Sequence, residues 1–205
     1  MSTVNNSMCG LVPNLFNPAD MEKWQEFFQR WTMTGDDLLN CFGIDEKNTI
    51  AEKWFQANIF SKIREALNDT KMVSIFGMYA ESVKPYHIHS DEYVVAKNNK
   101  QGRPHISWLI PYKVDGKQED ISSASTIVFN ETDYGDDKNG IDDSMRQRYF
   151  KHCDPNLLRK VTVNKVFHWQ PGSLIYWNQR NLHCSGSFND FKTKEMFVGH
   201  TYIPD

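Results

Sequence analysis

The sequence predicts a mainly β fold, a β-sandwich or jelly roll with helices packed against its outside. Three observations point there. From Lys71 onward, short apolar runs are separated by clusters of Gly, Pro, Asn and Asp, the punctuation of strands joined by turns. No long helical pattern alternates with these runs, which disfavours a doubly wound parallel sheet and favours a jelly roll. The two clear helical patterns both fall within the first 70 residues.

Asn17-Pro18 supplies a capping side chain followed by proline in the first turn, a helix start signal. Met21, Trp24, Phe27, Phe28 and Trp31 then recur at helical spacing, and this aromatic stripe reads as a core-facing surface. Thr34-Gly35-Asp36-Asp37 marks a break. A second helix is expected over 49–68, where Phe55, Ile59, Ile63 and Leu67 recur every four residues. Lys71–Ala80 is almost continuously apolar and too short to span a membrane, so a buried strand fits. Further strands are expected at His105–Val114, Ser125–Asn130, Lys160–Trp169, Ser173–Asn178 and Lys194–Ile203, and short helices at 143–151 and 154–160. The stretch Asp133–Asp143 holds five aspartates and two glycines. It lacks the order and terminal Glu of a calcium-binding EF-hand loop and reads as a solvated loop.

Composition narrows the function. The 205 residues carry 23 basic and 26 acidic side chains, a formal net charge of −3, so no basic nucleic-acid footprint is evident. No apolar run approaches membrane-spanning length. The first residues have neither the basic nor the apolar region of a signal peptide. Cys9, Cys41, Cys153 and Cys184 form no CxxC pair, so reduced thiols and a cytoplasmic location are expected. The chain contains no Walker A, GxGxxG, GxSxG or HExxH sequence, leaving phosphate cradles and common hydrolase chemistry unsupported.

The seven histidines are the remaining lead: His87, His89, His105, His152, His168, His183 and His200. In Tyr86-His87-Ile88-His89-Ser90-Asp91-Glu92, His89 and Asp91 lie two apart, and on extended backbone such residues share a face. Both could reach one cation. His183, delivered by the Ser173–Asn178 strand and the turn after it, is the best third ligand. Two imidazoles and a carboxylate leave three positions of an octahedron open, which suits Fe(II) and oxygen chemistry. The triplet alone is unspecific. Seven histidines and 16 aspartates give about 0.5 such triplets by chance. The second, His152-Cys153-Asp154, precedes Pro155, and its Asp reads as a helix cap.

At these residues the chain resembles the Fe(II)/2-oxoglutarate-dependent oxygenases, in texture the phytanoyl-dioxygenase-like branch and related small microbial and phage proteins. The resemblance runs through Tyr86–Asp91, Gly102–Asp115, Ser125–Asn130 and Pro171–Tyr202. It implies a double-stranded β-helix, a cupin-like barrel, over 71–205 with the metal inside one end. The length predicts a single domain over 1–205, with the helices of 1–70, which match only in kind, packed on the barrel. The resemblance also implies His89, Asp91 and His183 as ligands and Fe(II), 2-oxoglutarate and O2 as cofactors. A basic residue at the start of the last strand would hold the distal carboxylate of 2-oxoglutarate. Lys194 fits, with Lys192 the alternative, where many relatives carry Arg. Met196 stands where relatives often place a hydroxyl, and Tyr79 is the substitute considered. The implied chemistry is decarboxylation of 2-oxoglutarate to succinate coupled to hydroxylation. The retained Asp91 favours hydroxylation over halogenation. Trp108, Tyr93, Trp177 and Arg180 are candidate pocket walls.

Two other readings share these residues. A cupin-type metal enzyme would use His87, His89, Glu92 and His183 and need neither 2-oxoglutarate nor Lys194. A non-catalytic jelly-roll module would leave the histidines incidental. The prime substrate, a small molecule or a side chain, is not written in the sequence, because fold does not set substrate.

Overall fold

The computed structural model describes residues 8–30, 33–35, 39–43 and 49–205. Trp31, Asp36 and Asp37, invoked above for the first helix and the break after it, lie outside the described residues. The architecture is an antiparallel sandwich. Among the described residues, ten strands run in chain order: β1 (Cys9–Val12), β2 (Met33–Gly35), β3 (Leu39–Gly43), β4 (Val73–Ser82), β5 (Arg103–Val114), β6 (Ser125–Phe129), β7 (Val163–His168), β8 (Leu174–Asn178), β9 (His183–Ser185) and β10 (Lys194–Ile203). A seven-stranded sheet in the order β1-β8-β5-β10-β4-β3-β2 faces a three-stranded sheet in the order β7-β6-β9. This is the mainly β, jelly-roll architecture with flanking helices expected from the sequence.

The alternation along each strand assigns its faces. In β10, Phe197 points outward to the helical layer, while Met196 and Val198 point between the sheets. Val128 and Phe167 meet Leu109, Ile175 and Trp177 across the sandwich. All five residues of β6 are buried, because its outer face is covered as well. There Ile127 and Phe129 pack on Phe150, Leu158 and Val161, brought by α5 (Asp143–Tyr149) and α6 (Pro155–Leu158). Asp142 and Asp154 cap these two helices, accepting from Met145 N and Asn156 N. Asp154 is therefore a structural cap, as its sequence context indicated.

Helix α1 (Pro18–Phe28) begins under an Asn17 cap with Pro18 in its first turn. Its Trp24 and Phe28 cover Phe197. The helix expected at 49–68 is α2 (Thr49–Phe55), a π turn over Gln56–Phe60, and α3 (Ser61–Ala66). An apolar repeat of four outruns the 3.6-residue turn by about 40° per step. The wider π turn takes up part of that drift and keeps Phe55, Ile59 and Ile63 all buried. Each such side chain contributes roughly 1.5–3 kcal/mol by leaving water.

The N-terminal segment is less purely helical than its periodicity suggested. It also supplies β1, β2 and β3 to the large sheet. β1 lies along β8 in the register Cys9↔Trp177 to Val12↔Leu174, and β3 lies along β4 with Leu39↔Ser82. These strands have three to five residues, too few for alternation to register. A free sheet edge recruits them. Helix α4 (Val94–Lys97) and strand β9 escape sequence reading for the same reason. Among the described residues, no helix is long and apolar enough to cross a membrane.

Candidate active site

After β4 the chain turns through Pro85-Tyr86 and lays residues 89–91 against the segment leading into β9. His89 and His183 form an antiparallel bridge. His89 N donates to His183 O at 3.0 Å and His183 N donates to His89 O at 2.9 Å, while Asp91 N donates to Gln179 O at 2.8 Å. The backbone thus fixes three side chains from two distant segments before any ion is considered.

The rings are oriented as well. His89 Nδ1 lies 2.8 Å from His87 O, and His183 Nδ1 lies 3.1 Å from Asn181 O. A carbonyl can only accept, so each Nδ1–H donates and each Nε2 lone pair is free to face the site. His89 Nε2 is 3.6 Å from Asp91 Oδ1, and His183 Nε2 is 3.3 Å from Asp91 Oδ2. Ligands at right angles about 2.1 Å from one ion stand about 3 Å apart, so a shift of a few tenths of an ångström completes the set. The three offer a donor set that fits a divalent first-row metal ion.

Asp91 accepts from Ser107 Oγ at 2.6 Å. Ser107 Oγ is also 2.9 Å from His200 Nδ1. The hydroxyl proton goes to the carboxylate, so His200 Nδ1–H donates to Ser107. Burial works against the charge on Asp91, but the imidazoles of His183 and His200 outweigh it and hold the carboxyl well below its usual range. Burial, then the neighbouring His183, pushes His89 down to about 4. At neutral pH the site therefore presents a carboxylate and an uncharged His89. Ser107 and His200 were not legible from sequence spacing. They meet because β5 and β10 pair in the register His200↔Ser107.

Lys194 and Lys192 separate cleanly. Lys192 is exposed, with its backbone N–H donated to Asp115. Lys194 is 3% exposed. Its Nζ donates to Ser185 Oγ at 2.6 Å and sits 4.7 Å from the centroid of the Trp169 ring. Among the described residues, no carboxylate forms an ion pair with it. Burial pushes Lys194 down to about 7. Tyr79 is not its hydroxyl neighbour. It lies on the other face of the sheet, donating to Glu195, and Glu195 also pairs with Lys113 at 3.4 Å. The hydroxyl at Lys194 is that of Ser185.

A cavity of about 510 Å³ opens onto His89, Asp91, His183 and His200. Ser107, Thr126 and Ser185 give it polar points, while Leu39, Phe76, Met78, Leu109 and Met196 make its walls largely apolar. Trp108, Tyr93 and Trp177 line it as well. Arg180 is exposed, as are His87 and His168. His105 is engaged with Asp69 at 2.8 Å.

No protein-family model matches the sequence, and no curated protein matches it. Solved structures do match in fold. The non-heme alpha ketoglutarate dependent epimerase SnoN from nogalamycin biosynthesis superposes with a TM-score of 0.61 at 9% identity, over 96% of this chain and 79% of the other. HygX from Streptomyces hygroscopicus, with nickel and 2-oxoglutarate bound, gives 0.59 at 10% identity over 98% and 84%. A Pseudomonas putida prolyl-4-hydroxylase gives 0.53 at 8% identity over 97% and 94%. The chain therefore has the double-stranded β-helix fold on which these enzymes are built. The likeness is to that fold at large and does not single out the phytanoyl-dioxygenase-like branch.

Proposed function

We propose that this chain is an Fe(II)- and 2-oxoglutarate-dependent oxygenase that hydroxylates a substrate held in the cavity. One observation carries the reading beyond a metal-binding barrel. Lys194 is a buried ammonium without a carboxylate partner among the described residues, held on the same β10 that bears His200. An uncompensated buried charge is costly, and a dianionic ligand would offset that cost.

In this reading His89 Nε2, Asp91 and His183 Nε2 hold the iron. The Lys194 ammonium and Ser185 hydroxyl hold the distal carboxylate of 2-oxoglutarate. The charges then match. Fe(II) with Asp91 is formally +1, the dianion brings the site to −1, and Lys194 returns it to zero, which matters in a low-dielectric interior. Bound Fe(II), with 2-oxoglutarate and O2, supplies oxidation of a substrate C–H to C–OH as succinate and CO2 are released. The chain's own residues orient and exclude. Ser107 holds Asp91 in place, Trp169 and Phe188 shield Lys194 from water, and the apolar walls seat the part of the substrate that does not react.

The test is succinate formation from 2-oxoglutarate by the iron-loaded full chain in air. Iron-dependent succinate release that disappears in Asp91→Ala and Lys194→Met is the expected result. Iron binding with no consumption of 2-oxoglutarate in the presence of a broad substrate panel would transfer the chain to the cupin-type reading.

A further inference from the structure

We propose that His152, Cys153 and Cys184 form a second metal site, for a thiophilic divalent ion such as Zn(II), on the far side of β9 from the His89 triad. The proposal does not depend on the oxygenase reading.

One ligand atom from each of the three residues lies within 4.8 Å of the others. Strand alternation explains the placement. Along β9, His183 and Ser185 turn toward the cavity, whereas Cys184 is paired with Ile127 and turns outward into the cluster of Phe129 and Phe150. The turn after α5 brings the other two ligands to that face, pinned by Cys153 N donating to Phe150 O at 3.0 Å. The triplet that looks like a His–Asp pair in sequence thus does its local chemistry through its middle residue, Asp154 being spent on the α6 cap.

The donor set selects its ion. Cys153 is 7% exposed and Cys184 2% exposed. A divalent ion with two thiolates and one imidazole is formally neutral, which a buried site tolerates far better than a net charge. Thiolate ligands favour Zn(II) over the hard, oxygen-seeking cations, and three protein ligands leave one tetrahedral position for water. His152 is already aimed. Its Nε2 is 3.3 Å from Cys153 Sγ, and its Nδ1 is 3.4 Å from Ser187 Oγ, a hydroxyl able to accept the Nδ1 proton when Nε2 ligates. The Nε2 proton now shared with Tyr86 O at 3.2 Å is the one that the ion would displace. Such an ion would tie the turn after α5 to the strand that carries His183, so its structural effect would reach the first site.

Cobalt is the probe. The reduced, oxygen-free full chain is titrated with Co(II) alone, in wild type and in Asp91→Ala, which disables the first site. The expected result in both is thiolate-to-cobalt charge-transfer absorption that is displaced by Zn(II), saturates at one equivalent in Asp91→Ala and vanishes in Cys153→Ser. His152→Ala, at a half-buried position, checks the same point should Cys153→Ser misfold, with Co(II) affinity at least about tenfold weaker. No charge-transfer absorption in the wild-type chain, an undiminished band in Cys153→Ser, or wild-type Co(II) affinity in His152→Ala would overturn the site.

Discussion

His89 and His183 face each other across a two-residue antiparallel bridge, each donating its backbone N–H to the other's carbonyl. Residues 94 positions apart in the chain are thereby locked in register, and their rings lie 4.2 Å apart between centroids. The bridge is built from backbone groups, so it survives loss of either side chain. His89→Ala is accordingly expected to keep the fold and lose the metal. Circular dichroism should be unchanged, while Fe(II) affinity falls by at least about tenfold to a hundredfold. Collapse of the fold in His89→Ala would show that the ring itself holds the segment.

Ser107 connects Asp91 to His200. Removing its hydroxyl frees Asp91 Oδ2 and leaves His200 Nδ1 without its acceptor. Ser107→Ala should weaken Fe(II) binding about 10-fold to 100-fold with little change in 2-oxoglutarate affinity once iron is saturating. Ser107→Thr, which keeps the hydroxyl, should recover most of the loss. Metal affinity equal to wild type in Ser107→Ala would remove Ser107 from the site's support.

Lys194 sets stability against binding. A buried, unpaired ammonium opposes folding, and replacing it with an apolar chain of similar length removes that cost. Lys194→Met should raise the stability of the ligand-free chain by on the order of a few kcal/mol and abolish 2-oxoglutarate binding. At roughly 2–4 °C per kcal/mol for a chain of this size, thermal melting detects the change. A destabilised Lys194→Met chain would mean that the lysine is a structural element.

The pH dependence follows from the same residue. Lys194 titrates near 7 when folded, against its ordinary 10.5. Its cost to the empty protein is fully present below about pH 7 and is relieved as pH rises toward the unfolded value. Binding of 2-oxoglutarate needs the ammonium form, so its affinity should fall as pH rises above about 7, by at most tenfold per pH unit. Calorimetric titration across this range, with proton uptake measured in two buffers, checks the sign. Affinity that is flat from pH 7 to 9 would remove the ammonium from the binding step.

The long strands and the first helix were legible because each carries its own local signal. Lys71–Ala80 is almost continuously apolar, the later short runs are bounded by Gly, Pro, Asn and Asp, and Asn17-Pro18 announces α1. His89 and Asp91 were legible as a pair by their spacing, and His183 by its position after a strand. Ser107 and His200 were not, since only the β5–β10 register brings them together. Tyr79 was misplaced because the sequence does not say which face of β4 it occupies. The short strands β1, β2 and β3 were invisible because the partner edge, not their own three to five residues, decides them. Cys153 and Cys184, 31 residues apart, meet through packing of α5 on the outer face of the small sheet.

The most direct test is an oxygen-free titration of the Fe(II)-loaded chain with 2-oxoglutarate, read by the weak visible absorption of the iron–2-oxoglutarate chelate. The band should appear in wild type, weaken strongly in Lys194→Met and be absent in His89→Ala and Asp91→Ala. Iron that binds at the triad while 2-oxoglutarate produces no band would contradict the assignment of Lys194 and Ser185 to the cosubstrate, and with it the oxygenase reading.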